Sequence, residues 1–211
     1  MKRYCPLAIS MALLLTGCLA SAPPVPQDHY YRLMLQTPAR KVTEPVFPGV
    51  LSVEMLQADG LLRERPLLYS RSGTPHELQQ YNYRYWTDAP PRMLQVQIVE
   101  YLRRSGLASV VVTPNMRVPA DYQISGNAKR FEWLVGDGPT KVTVEIELAL
   151  TRLSDSRLIL VDSFTAEEAA TDNAIEDSVV ALNRATGRIL DRFFERAIQA
   201  ASKAELADRS R

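Results

Sequence analysis

Lys141-Val142-Thr143-Val144-Glu145-Ile146-Glu147-Leu148-Ala149-Leu150-Thr151 is the stretch that decides the fold. Aliphatic residues occupy every even position and polar or small residues every odd one. That period of two fits a strand with one buried and one mostly solvated face. Immediately before it, Val135-Gly136-Asp137-Gly138-Pro139-Thr140 contains an Asp-Gly pair, which tolerates positive backbone dihedrals and signals a hairpin. The same glycines superficially suggest a phosphate loop, but their place between two strand patterns makes them a turn. Upstream of the turn lies a second long strand candidate, Asp121 to Leu134. Downstream, Ser154-Asp155-Ser156 turns the chain into a third, Arg157-Leu158-Ile159-Leu160-Val161-Asp162-Ser163-Phe164. Three strands joined by short turns make an antiparallel meander.

Working outward, shorter strand candidates are Tyr30 to Leu35, Gly49 to Met55, Pro66 to Arg71 and Ser109 to Thr113. Pro38, Pro45 and Pro48 mark the segment between the first two as loop, and Ala58-Asp59-Gly60 supplies a turn. Gln80-Tyr81-Asn82-Tyr83-Arg84-Tyr85-Trp86 alternates polar and aromatic residues, as a half-buried strand does. A helix then follows. Asp88 is its candidate N-cap, Pro90 and Pro91 suit a first turn whose backbone donors are unpaired, Leu94, Ile98 and Leu102 recur every four residues, and Gly106 closes it. A second, longer helix spans Ala174 to Ala201. Asn173 and Glu176 fit a capping box, and Ile175, Val179, Leu182, Ile189, Phe193 and Ala197 form one stripe. The stripe is expected to pack on the sheet; heptad spacing leaves a partner-binding or coiled-coil face as the alternative. The fold class that follows is α/β, a mixed and largely antiparallel sheet of five or more strands with two packed helices, in one domain over residues 29–201. Residues 202–211 form a charged tail expected to fray.

The amino terminus has its own logic. Met1-Lys2-Arg3 precedes the apolar run Leu7 to Leu15, which has the length of a secretory signal and falls short of the roughly 20 residues needed to span a bilayer. It ends in Leu15-Thr16-Gly17-Cys18, which resembles the lipobox of bacterial lipoproteins. Small residues before the cut admit the signal peptidase, and the Cys18 thiol receives a diacylglyceryl group. Residues 1–17 are therefore read as signal peptide, and 18–28 as lipidated cysteine plus the proline-rich tether Ala20-Ser21-Ala22-Pro23-Pro24-Val25-Pro26-Gln27-Asp28. Extended at about 3.1 Å per residue, that tether reaches roughly 28 Å.

Cleavage before Cys18 removes Cys5, so no disulfide within the mature chain is possible and the fold must rest on core burial. A mature length of about 190 residues suffices for a substantial core. The full chain carries 25 basic and 24 acidic residues, and losing Lys2 and Arg3 leaves it near neutral, which indicates neither a nucleic-acid partner nor a polybasic membrane surface. Attachment to a membrane thus falls to the lipid. Leu19, where an Asp would retain a lipoprotein at the inner membrane, points to the periplasmic face of the outer membrane.

Chemistry is sparse. His29 and His76, the latter read as part of the Ser72-Gly73-Thr74-Pro75-His76 loop, have no metal-ligand spacing, and no zinc cluster, nucleophile elbow, phosphate loop or dinucleotide fingerprint occurs. Glu145 and Glu147 fall on the polar face of a strand, where solvated charge outranks acid-base work. Tyr81, Tyr83, Tyr85 and Trp86 are expected to pack in the core or at its rim; a sugar- or lipid-binding surface is the alternative. Leu61-Leu62-Arg63-Glu64-Arg65 is either a surface segment held by charges or a partner contact. No catalytic residue, cofactor or metal is implied.

The order of these pieces resembles the ABC-type transport auxiliary lipoprotein family. The resemblance rests on the lipobox, Tyr30-Tyr31 with Leu33, Val50-Leu51-Ser52-Val53 leading through Leu61 to Tyr69, and Tyr85-Trp86 before the Leu94 to Leu102 helix. It continues through Tyr122-Gln123-Ile124-Ser125-Gly126, Phe131-Glu132, the hairpin into Val142 to Leu150, and the closing helix. The resemblance implies a three-layer domain similar to the N-terminal domain of TolB. It also implies a homo-oligomeric docking subunit at the outer membrane, working with an MCE-domain protein, a permease and an ATPase that move lipids or other hydrophobic molecules between the membranes. Two rival functions remain: an outer-membrane lipoprotein for envelope assembly or stability that binds another envelope protein through its last helix, and a periplasmic hydrolase. The second would need converging titratable groups that the sequence does not display.

Overall fold

The structure, a computed structural model, describes residues 25–136 and 138–209, so the signal segment 1–17, Cys18, the tether up to residue 24 and Asp137 of the hairpin turn lie outside the described residues. Among the described residues the chain forms nine strands and two helices. In order they are β1 His29–Tyr31, β2 Phe47–Val53, β3 Gln57–Ala58, β4 Pro66–Arg71, β5 Thr74–Trp86, α1 Pro90–Ser105, β6 Ala108–Val112, β7 Tyr122–Val135, β8 Lys141–Arg152, β9 Arg157–Ala169 and α2 Ile175–Arg209.

The meander is present as expected, with β8 paired antiparallel to both β7 and β9 over nearly its full length. Val142, Val144, Ile146, Leu148 and Leu150 are completely buried. Each such aliphatic side chain contributes about 1.5–3 kcal/mol relative to exposure. In β7 the inward residues change parity, from Ile124 and Ala128 to Phe131 and Trp133. A bulge between Ala128 and Arg130 absorbs the change, so both apolar groups face the core and the cationic pair Lys129-Arg130 faces out.

β7 is the spine of the sheet. One edge carries β8; the other carries three short parallel partners in turn, β2 at Tyr122–Ile124, β3 at Asn127–Ala128 and β4 at Trp133–Val135. Beyond β2 lies β6, and beyond β4 lie β5 and then β1. The sheet is mixed, as the sequence predicts: its long ladders are antiparallel and its short ones parallel.

Gly126 explains how β7 and β8 approach so closely. A Cβ there would stand 2.0 Å from the Glu147 carbonyl oxygen and 3.0 Å from a Leu148 methyl. Glycine in mid-strand marks such an approach. Gly126→Ala is expected to cost about 2–3 kcal/mol, the upper part of the range for overpacking, because backbone rather than a flexible side chain must move. Urea unfolding measures it directly.

Both helices pack on the buried side. The Val179, Leu182, Ile189, Phe193 and Ala197 stripe of α2 is buried, with Phe193 edge-on to Phe164 of β9. The core takes up the stripe that heptad spacing would have offered to a coiled-coil partner. The helices also touch each other, Tyr101 of α1 lying edge-on to Phe194 of α2.

Several local expectations are corrected. β1 ends at Tyr31; Leu33 and Leu35 alternate as in a strand but are buried without a sheet partner. The N-cap of α1 is Ala89, not Asp88, whose carboxylate instead sits 4.0 Å from Arg92. Pro90 and Pro91 open the helix and Gly106 closes it at φ 73, as read. Asn173 does not form a capping box. Its side-chain oxygen accepts hydrogen bonds from the Thr140 backbone and hydroxyl, both at 3.0 Å, while Asp172 takes the Ala174 N–H and Glu176 accepts from Tyr31. His76 lies in strand β5 rather than a loop, since the chain turns between Arg71 and Thr74. The aromatic alternation of β5 breaks at Tyr83, which adopts φ 58. Strand β9 runs five residues past Phe164 to Ala169, and α2 continues to Arg209, past the helix end expected at Ala201.

Candidate interaction surfaces

One surface lies at β1, where the chain first joins the sheet. β1 runs parallel to β5 and so enters the sheet from the side of the β4–β5 turn. Tyr30 stacks on Tyr85 with ring centroids 5.7 Å apart, and the Arg65 guanidinium lies 5.3 Å from the Tyr30 ring centre. The Tyr30 hydroxyl donates to Asp28, and that hydrogen bond, reinforced by the carboxylate charge, raises its pKa. Leu61 to Arg65, read as either a charged surface segment or a contact, has a local structural use. Leu62 is buried in a 3-10 turn over Gly60–Arg63, and Arg65 donates from Nε to the Trp86 carbonyl at 3.1 Å.

After β1 the chain has no regular structure until Phe47, yet it is firmly held. Side chains of the two helices accept its backbone donors: Asn183 takes the Met34 N–H at 2.8 Å, Gln97 that of Leu35 at 3.0 Å, and Asp191 that of Ala39 at 3.2 Å. Arg40 pairs with Glu195 at 2.9 Å. Asp191 also accepts a 2.6 Å hydrogen bond from Tyr101, whose pKa is driven up first by burial and then by that bond. This strap, residues 34–40, is thus held by side chains of both helices.

The residues singled out for chemistry do not converge. His29 and His76 sit on different strands, both exposed. Glu147 bonds to Lys129 at 2.8 Å and to Asn127 and Ser163, and these bonds, Lys129 foremost, lower its pKa. Glu145 shares its polar face. Among the described residues no group of three His, Cys, Asp or Glu is placed to hold a metal ion, and no helix is long and apolar enough to cross a membrane. Of the aromatic series, Tyr81 packs on Tyr69 and Trp133, Tyr85 on Tyr30, and Trp86 is wholly buried against Phe131 and Trp133. Tyr83 alone of the four is exposed. Trp86 and Tyr81 serve the core and its rim, as expected, whereas Tyr83 departs from that expectation.

Sequence reasoning missed two sets of residues. Asn183, Gln97 and Asp191 hold the strap, and their type gives no sign of it in a linear reading. Arg184, Arg188, Arg192 and Arg196 line one side of α2, and here a signal did exist in their four-residue spacing. Shallow hollows flank the sheet margins. One of about 420 Å³ lies beside β6, lined by Arg103, Val110 and Met116, and one of about 260 Å³ lies where the start of β9 meets the end of α2.

Comparison with known proteins adds two findings. Residues 31–193 match the family model described as the ABC-type transport auxiliary lipoprotein component. Among solved structures, protein XCC0632 from Xanthomonas campestris superimposes with a TM-score of 0.73 at 18% identity, covering 84% of this chain and 99% of that one. A second, described only as an uncharacterized protein, gives 0.63 at 17% identity over 81% and 98% of the two chains. At such identity these likenesses speak to the fold alone. No curated protein matches the chain in sequence.

Proposed function

The chain belongs to the ABC-type transport auxiliary lipoprotein component family, and from that premise we propose that it is the lipid-anchored docking subunit of an MCE-type ABC transport system. In this reading acylated Cys18 holds the domain at the periplasmic face of the outer membrane. The domain there receives the periplasmic end of an MCE-domain protein, whose permease and ATPase move lipids or other hydrophobic molecules between the membranes. The family is one of auxiliary transport components rather than enzymes. The observation that carries the reading is the family match over residues 31–193, directly downstream of a lipobox at Leu15 to Cys18.

The held strap supports the same role. A docking part must carry load between its anchor and its partner, and here the tether leads into a segment clamped by both helices. Two or more acyl chains at about 0.8 kcal/mol per buried methylene suffice for stable attachment.

Cross-linking in native membranes, followed by affinity purification of the lipidated chain, tests the proposal. The expected result is co-recovery of an MCE-domain protein, a permease and an ATPase, with the chain in the outer-membrane fraction. Recovery of none of the three components would sink it.

A further inference from the structure

Strand β9 is a margin of the sheet: among the described residues it pairs with β8 and with no other strand. A margin of 13 residues exposes backbone donors and acceptors to any other strand that approaches. Along this margin α2 lays a row of arginines. Arg184 donates to the Ala169 carbonyl at 3.1 Å, Arg188 to that of Glu167, and Arg192 to that of Thr165. Arg196 continues the row to the Asp162 carboxylate at 3.1 Å, while Asp162 itself accepts the Ser163 N–H.

The spacing explains why one helix can do this. Four residues of α-helix rise about 6.0 Å and two residues of strand about 6.7 Å, so arginines every fourth residue meet carbonyls of every second residue on an antiparallel strand. The small mismatch accumulates along the row. By its fourth member the pairing has moved from a carbonyl to a side chain. The Arg192 guanidinium also rests 6.0 Å from the Phe164 ring centre, and Arg188 pairs with Glu168, so both heads are fixed in place.

The opposite margin repeats the device on a smaller scale. Among the described residues strand β6 pairs only with β2, and Arg103 of α1 donates from Nε and Nη2 to the outward Val111 carbonyl at 2.9 and 2.8 Å. Each helix therefore sends arginine onto the strand margin beside it.

We propose that the Arg184, Arg188 and Arg192 row bars the β9 margin against strand addition by a second copy of this chain. A carbonyl that already accepts from a guanidinium offers an approaching strand only its second lone pair, crowded by the arginine head. The cations of Arg184 and Arg192, beside Arg188 paired with Glu168, oppose an identical margin bearing the same row. Contacts between copies are then directed to other surfaces. This holds whether or not the chain serves a transporter.

The test uses the full lipidated chain in detergent with Thr165→Cys as reporter, since Thr165 is exposed and lies mid-margin, where two antiparallel copies would meet about a two-fold axis. The chain without the reporter supplies the background. Replacing all three arginines by methionine keeps the stem and removes donors and charge. The expected result is a rise of about tenfold in cross-linked dimer, with slowed amide exchange at Thr165, Glu167 and Ala169. If the row only staples helix to sheet, the melting temperature falls and cross-linking stays at the level of the parent chain, which overturns the proposal. Should the triple variant fail to fold, Arg192→Met alone decides by the same criterion, with a smaller rise expected.

Discussion

Trp86→Ala is expected to lower the stability of the domain by about 3–5 kcal/mol, a fall of roughly 10–15 °C in Tm for a domain of this size. The reason lies in where four elements meet. Trp86 closes β5 directly before α1, pairs with Tyr31 of β1, and exchanges backbone contacts with Arg65 through its N–H at 2.7 Å and its carbonyl at 3.1 Å. Its ring is fully buried, 5.3 Å from Phe131 and 5.8 Å from Trp133. Truncation leaves a large cavity that the surrounding strands cannot close, because both ring neighbours belong to the spine strand β7. Trp86→Phe is the informative control. The indole nitrogen has no acceptor among the described residues, so phenylalanine sacrifices volume but no hydrogen bond and is expected to cost about 1–2 kcal/mol. Tyr83→Ala, three residues upstream, is expected to stay within about 0.5 kcal/mol of the parent. Thermal unfolding followed by circular dichroism ranks the three; equal losses for Trp86→Ala and Tyr83→Ala would contradict the account of this junction.

That contrast shows what a linear reading of this chain can and cannot reach. In the β7–β9 meander β8 was legible because it has one mostly solvated face, so alternation survives in sequence, and the turn residues on either side of it announced β7 and β9 as its partners. β5 was half legible. Its aromatic residues announce a strand, but the positive φ of Tyr83 shifts the parity, and only the structure separates the buried Trp86 from the exposed Tyr83. Leu33 and Leu35 misled for a different reason: alternation reports burial, and here both side chains are buried in a segment whose backbone is held by helix side chains at Met34 and Leu35, not by a neighbouring strand. The caps assigned to Asp88 and Asn173 had suitable residue types, yet Arg92 and Thr140 hold those side chains elsewhere. As for sites, the family was legible from the order of its segments. The strap contacts join residues about 60 to 150 positions apart and leave no local trace. The arginine row did leave one, and only knowledge of the neighbouring strand gives it meaning.

On the anchoring proposed above, Cys18→Ser is expected to abolish acylation and release the chain from the membrane that holds it. The chemistry turns on one atom. In the proposed reading the Cys18 thiol is the acceptor of the diacylglyceryl group, and a serine hydroxyl is no substitute as nucleophile, so the variant is expected to remain as unprocessed precursor. Nothing among the described residues offers comparable hold. A single acyl chain gives only marginal, reversible binding, whereas two or more bury enough methylenes, at about 0.8 kcal/mol each, for stable attachment. The mature chain is near electrical neutrality, so attraction to anionic headgroups is weak. None of the described helices is long and apolar enough to cross a bilayer. Mass spectrometry of the amino-terminal peptide from the native host is expected to find Cys18 acylated in the parent and a full-length signal segment in the variant. Membrane fractionation is expected to show the variant depleted from the outer-membrane fraction by about tenfold or more. Should the parent carry an unmodified thiol, or the variant co-fractionate fully with it, the anchor would have to be sought elsewhere, and with it the reason for a tether that leads straight into a clamped strap.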